Sequence, residues 1–150
     1  MGGRGLPPDM SEDCIFCRIV DGEIPSRTVY EDEDTCAFLD VYPLAAGHTL
    51  VVPKVHDPRI GGLPDGIAAA VFSTMSELAP AIERAVGADA MTVAVNDGPA
   101  AGQEVPHVHG HLVPRFEGDG AGPIHALDWN RPELDDDELD DVAEAIREAQ

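Results

Sequence analysis

The sequence is short of cations. It has a single lysine, Lys54, and nine basic residues in all against 29 acids, for a formal net charge of −20. Such a surface repels nucleic-acid phosphates and anionic headgroups, so neither nucleic acid nor a membrane is an expected partner. Long hydrophobic runs are also missing: none approaches the ~20 residues that span a bilayer. The first residues, rich in glycine, proline and acids, lack the apolar stretch of a signal peptide. The expectation is a cytoplasmic protein. The acids are spread along the chain rather than gathered in a tail. That suits either a halophilic protein, whose self-repulsion is screened by very high salt, or an ordinary acidic one. Cysteine is scarce, with only Cys14, Cys17 and Cys36, which in a cytosolic chain argues against a disulfide framework. What is present, 150 residues of which 43% are apolar, suffices for one domain with a sizeable core.

Periodicity and turn residues give the organisation. A short helix is expected from Cys14 to about Val20, closed by Asp21-Gly22. Five strand-like segments follow: Thr28–Tyr30, Cys36–Leu39, His48–Val52, Met91–Val95 and His107–Val113, the third stopped by Pro53 and the fifth by Pro114. A long helix is expected over about Asp65 to Val86, with Ile67, Val71, Leu78, Ile82 and Val86 on one apolar face, Pro80 kinking it or removing one hydrogen bond, and Gly87 as its stop. A last helix, Pro132 to Ala149, is acidic at its start and carries Leu139, Val142 and Ile146 at spacings of three and four. The expected fold class is α+β, a five-stranded antiparallel sheet with one long helix and shorter flanking helices. Residues 1–12 read as a flexible tail, 13–130 as the domain, and 131–150 as an acidic helical extension.

His107, His109 and His111 alternate along the fifth segment. On a strand, alternate side chains share a face, with successive imidazoles ~7 Å apart. Neutral imidazole is suited to nucleophilic and proton-shuttling work near pH 7. A surface histidine patch or a metal site are the alternatives. The preceding loop, Asn96 to Gln103, contains Gly98 and Gly102, which allow backbone N–H groups close to a phosphate. Asn96 and Gln103 would add side-chain donors.

His107-Val108-His109-Gly110-His111-Leu112-Val113 resembles the motif of the histidine-triad family. So do Cys14-Ile15-Phe16-Cys17-Arg18-Ile19 with Gly22-Glu23-Ile24-Pro25, Phe38-Leu39-Asp40, Gly47 to Lys54 with His56, Asn96-Asp97-Gly98 and Gly102-Gln103, in the expected order across residues 14 to 129. The resemblance is to bacterial-type Hit proteins of the Hint-like part, with Pro114-Arg115 shared with the Fhit branch. It implies a homodimer with a sheet continuous across subunits. It also implies hydrolysis or transfer at the α-phosphate of an adenine-type nucleotide conjugate, a phosphoramidate or a dinucleoside polyphosphate. His109 would attack phosphorus, His107 and His111 would orient the phosphate or assist the leaving group, and His48 would support the triad from behind. Asp40 would hold the ribose, and Ile15, Phe16, Ile19 and Phe38 would line the base pocket.

Cys14-x-x-Cys17 is half of a zinc site by spacing. The resemblance supplies His56 and His107 as the other ligands of a structural zinc; no organic cofactor is expected. Two buried free cysteines are the alternative, and a zinc-bound His107 would not be free to relay protons. Gly110 departs from the family pattern, which has a bulky apolar residue there; the expectation is weaker packing rather than altered chemistry. Glu104 beside the phosphate loop is a second departure, able either to repel substrate or to act on a leaving group. Two other functions fit the same residues: a nucleotide-binding sensor or scaffold without turnover, and a zinc-stapled interaction module acting through its acidic C-terminal helix.

Overall fold

The computed structural model describes residues 13–123 and 131–150. The tail expected over 1–12 lies outside them, as do residues 124–130 of the expected domain. The chain divides into two compact units between Asp119 and Gly120.

The first unit holds helix α1 (Ile15–Val20), strands β1 (Thr28–Glu31), β2 (Thr35–Leu39) and β3 (Thr49–Pro53), helix α2 (Ile67–Val86), and strands β4 (Ala90–Val95) and β5 (Gly110–Arg115). The five strands form one sheet in the order β1-β2-β3-β5-β4, antiparallel throughout. The α+β class and the five-stranded antiparallel sheet are therefore as expected. Register follows burial. Ala37, Val51 and Leu112 face α2 and pack with its Val71 and Met75, while Leu78 and Ile82 close the edge of this cluster. On the other face, Phe38, Leu50, Cys36 and Val52 pack with Cys14 and Phe16 at the start of α1. Fully buried side chains of the size of Leu112 or Val51 stabilise by ~1.5–3 kcal/mol each, so the α2 face anchors the sheet.

Element ends have local causes. Cys14 caps α1 with its sulfur, which accepts the Cys17 N–H at 3.3 Å. The α2 helix is bracketed by Gly66 and Gly87, both left-handed, and runs unbroken through Pro80. Pro80 is exposed, on the side away from buried Val71, Thr74 and Met75. It withholds one N–H, but packing on the opposite side keeps the helix continuous.

The fifth strand differs from expectation at both ends. It begins at Gly110 rather than His107 and continues through Pro114 to Arg115. At its start, Val51 with Gly110 is the last β3–β5 pair. Pro53, two residues further along β3, has no N–H to donate, and its carbonyl accepts from the His107 ring at 2.8 Å. The Val108 N–H turns instead to the Asp57 carbonyl at 2.8 Å. At the far end, β5 is flanked only by β4, so Pro114 is tolerated where a strand with two neighbours would lose more. Gly110 differs as well. A Cβ there would overlap Sδ and Cε of Met75, so the methionine fills the space beside Gly110.

In the second unit, helix α3 (Asp136–Ala149) has a complete capping box: Asp135 accepts the Glu138 N–H, and the Glu138 carboxylate accepts the Asp135 N–H. Its apolar side chains Leu139, Val142 and Ile146 are each about half exposed.

Candidate active site

The approach of β5 places the histidines at the sheet face opposite α2. His111 pairs with Leu50 and shares its face. His109 and His107 precede the strand, His107 in a bend, and are buried, at 6% and 0% exposed. The ring of His109 lies 4.9 Å from that of His111 and 4.9 Å from Phe16, edge-on to the latter.

Hydrogen bonds assign the ring protons. His109 Nδ1 faces the His107 carbonyl at 2.7 Å. A carbonyl only accepts, so Nδ1 carries the proton and Nε2 keeps its lone pair. The Leu44 N–H donates to His48 Nδ1 at 3.1 Å, which puts the His48 proton on Nε2. From there it is donated to His111 Nδ1 at 3.0 Å, leaving His111 with its proton on Nε2. Asp40 stands 3.7 Å from His48 Nε2 and accepts the Tyr42 N–H at 2.8 Å. The site thus offers one unprotonated ring nitrogen beside one ring N–H donor.

All three triad rings are held neutral. Burial pushes His107 and His111 down to about 4, with the charges of neighbouring rings adding to it. Burial also lowers His109, against the His107 carbonyl bond and the carboxylates of Asp40 and Glu104, and lowers His48 against Asp40.

His107 faces elsewhere. Its Nε2–H donates to Pro53, and its Nδ1 lies 3.3 Å from Cys14 Sγ and 3.5 Å from Cys17 Sγ. His56 Nδ1 is 3.2 Å from Cys17 Sγ, and its Nε2 is buried without a partner. Two sulfurs and two imidazole nitrogens therefore converge within 4.8 Å of one another. This borderline-soft set of four fits zinc, and the Pro53 carbonyl fixes the His107 tautomer as a second shell does. The alternative of two simply buried cysteines leaves the convergence of both Nδ1 atoms unexplained.

The expected pocket residues are placed unequally. Phe16 and Phe38 stack edge-on at 5.6 Å and are buried, Ile19 packs on their cluster, and Ile15 is 45% exposed. In the loop, the Gln103 Nε2 donates to the Pro58 carbonyl at 2.6 Å, so its nitrogen is engaged with the protein. Asn96 is half-buried, with Nδ2 beside Gly102, itself exposed and left-handed. Sequence reasoning missed the backbone partners, namely the Leu44 N–H and the Pro53, Asp57 and Pro58 carbonyls. Backbone groups carry no side-chain signal.

The family model described as HIT domain matches residues 21–118. The chain belongs to the HIT family. An uncharacterized HIT-like protein of Methanocaldococcus jannaschii is 47% identical over 107 residues, 71% of this chain and 82% of that one. The adenylylsulfatase HINT3 of Arabidopsis thaliana is 41% identical, over 78% of this chain and 59% of its own. The adenosine 5′-monophosphoramidase HNT1 of Saccharomyces cerevisiae is 37% identical, over 89% and 80%. Among solved structures, a HIT family protein from Bacillus subtilis superposes with a TM-score of 0.82 at 35% identity, over 92% of this chain and 97% of that one. A zinc-bound histidine triad family protein from Mycobacterium smegmatis superposes at 0.71 and 34% identity, over 93% and 99%. Among the described residues of this HIT protein, no helix is long and apolar enough to cross a membrane.

Proposed function

We propose that this protein hydrolyses or transfers at the α-phosphate of an adenine-type nucleotide conjugate, with His109 as nucleophile. The observation that carries the reading is the bond from His109 Nδ1–H to the His107 carbonyl, which leaves Nε2 unprotonated. Attack on phosphorus needs such a nitrogen, held in place. The Nε2–H of His111, fixed through His48, donates to the charge that builds on the phosphoryl oxygens. Asp40 is the carboxylate for the ribose hydroxyls. Phe16, Phe38 and Ile19 form the inner wall of the base pocket and Ile15 its rim. Asn96, Gly102 and Gln103 shape the phosphate loop, Gln103 by bracing it against Pro58. Adenylylsulfatase and phosphoramidase relatives support nucleotide hydrolysis in general terms.

Cys14, Cys17, His56 and His107 would hold a structural zinc, whose chemistry there is to cross-link α1 and the segment after β3 to the start of the triad. His107 then acts through its carbonyl rather than as a proton carrier. We also propose a homodimer joined along β4, an edge strand with Val93 about half exposed. Residues 13–130 would be the catalytic domain and 131–150 an extension to it.

The test is AMP release from adenosine 5′-phosphoramidate and from diadenosine tetraphosphate in molar potassium chloride, by the native protein and by His109→Ala. Release by the native protein that is lost in the variant supports the reading. AMP bound without release from either substrate overturns it in favour of a nucleotide sensor.

A further inference from the structure

The segment that follows His56 and the loop that precedes the triad are distant in sequence, yet three consecutive residues of the first grip the second near both of its ends. The Pro58 carbonyl accepts the Gln103 side chain at 2.6 Å, at the end of the loop. Near its start, Asp97 Oδ1 accepts the Ile60 N–H at 2.8 Å, and the Arg59 Nε lies 3.3 Å from the same oxygen. The Arg59 guanidinium also lies over Gly98, where a Cβ would stand 3.2 Å from Cζ and 3.2 Å from Nη1. Gly98 has a φ of +108°, so backbone and packing both call for glycine there.

The gripping segment is itself fixed. The Arg59 N–H donates to Asp57 Oδ1 at 2.9 Å, and the Gly62 N–H donates to the Arg59 carbonyl at 3.1 Å. The Asp57 carbonyl accepts the N–H of Val108, the neighbour of His109, at 2.8 Å. The loop is thus held to a support that is bonded in turn to the triad. Asn96 stands between two fixed points: Val95, the last residue of β4 to pair with β5, and the gripped Asp97. Glycines of positive φ at 98 and 102 would leave an ungripped loop many arrangements. Fixing it in the free protein leaves less ordering to be done when a ligand binds.

We propose that Asp97 is a positioning residue of the phosphate subsite: one carboxylate oxygen, bonded to the Ile60 N–H and the Arg59 guanidinium, presets the loop 96–103 and with it Asn96. This rests on the nucleotidyl-transfer reading above, in which that loop meets the α-phosphate. Asp97 then contributes to the affinity for the phosphate and not to the chemical step, since the ring of His109 is oriented by the His107 carbonyl and not by the loop. Asp97→Asn keeps an oxygen for the Ile60 N–H and gives up the charge facing Arg59. Asp97→Ala gives up both. Arg59 is exposed, so Arg59→Ala removes its half of the grip without opening the core.

The experiment measures Kd for AMP and for adenosine by calorimetry, and kcat and KM for adenosine 5′-phosphoramidate, in the native protein and the three variants. In Asp97→Ala, the Kd for AMP and the KM should each rise about tenfold, the size of one lost hydrogen bond to a charged group. The Kd for adenosine, which has the base and ribose but no phosphate, should stay within about twofold, as should kcat, the pattern of lost binding rather than lost chemistry. Asp97→Asn should recover AMP affinity to within about threefold of native, and Arg59→Ala should weaken it by about threefold, as for an exposed ion pair. Should Asp97→Ala fail to fold, the AMP-to-adenosine comparison in Arg59→Ala decides. Equal losses for AMP and adenosine, unchanged AMP affinity, or a fall in kcat at constant KM overturns the proposal while leaving the hydrolase reading intact. A native protein that neither binds AMP nor releases it from the phosphoramidate overturns both.

Discussion

The ring Nδ1–H of His109 is bonded to the carbonyl of His107 at 2.7 Å, while the ring of His107 lies against Cys14 and Cys17. One residue therefore joins the proposed nucleophile to the thiol cluster, and whatever fixes that cluster also fixes the orientation of His109. The purified protein is expected to carry one zinc per chain by elemental analysis. Cys14→Ser with Cys17→Ser should remove the metal and lower Tm by about 10 °C, taking ~3 kcal/mol lost at ~3 °C per kcal/mol. AMP release should fall with it. Full metal content in the double variant would show that the four donors are not the site.

Gly110 and Met75 form a second pair with a testable consequence. Gly110→Val places methyl groups where the Met75 sulfur lies, and overpacking of this kind costs about 1–3 kcal/mol. Combining it with Met75→Ala should recover at least half of the loss, because the two residues share one space. Urea unfolding of the two single variants and the double one measures this. Since Gly110 faces α2 and not the histidines, kcat/KM should change far less than stability. Independent, additive losses would mean that the methionine does not fill the missing side chain.

Which side chains cluster was more legible in the sequence than how they are held. Alternation of His107, His109 and His111 announced the site, and Cys14-x-x-Cys17 announced a metal-type cluster, because side chains of those types at those spacings have few other uses. The strand period then assigned His107 and His109 to regular β structure. The structure ends the ladder at Gly110, because Pro53 cannot donate and its carbonyl bonds the His107 ring. That depends on a proline 54 residues away in sequence, beyond any local pattern. Gly110 misled for the same reason, since its missing volume is supplied by Met75 from α2. The tautomers of His48 and His111 rest on the Leu44 N–H, which no side-chain motif encodes.

The depressed histidines predict the acid limb of stability. His48, His56, His107, His109 and His111 are all lowered by burial from the ordinary 6.5, His107 and His111 to about 4. Below pH 6.5 the unfolded chain binds protons that the folded chain refuses, so stability falls as pH falls from about 6.5 toward about 4 and is fully present above that window. Urea midpoints from pH 8 to 5 in molar potassium chloride, which screens the acid repulsion, should be flat above pH 7 and decline below about 6.5. A midpoint unchanged at pH 5 would mean that the rings take up protons in the folded state.

The last prediction concerns β4. An edge strand presents unpaired N–H and C=O groups, which proteins protect with charge, bulges or a partner. On β4, Thr92 and Val93 are exposed, Val93 at 51%, and no lysine or arginine interrupts the strand from Ala90 to Val95. An uncharged edge of this kind fits pairing with the same edge of a second copy, the isologous contact that a twofold dimer requires. Sedimentation should give twice the 15.9 kDa chain mass. Val93→Lys, placed at an exposed position where it disturbs no core, should shift the protein toward monomer by about tenfold or more in Kd, equivalent to ~1.4 kcal/mol. A native protein that sediments as a monomer across the micromolar range would remove the dimer. A native dimer unaffected by Val93→Lys would move the contact off the β4 edge and onto another surface.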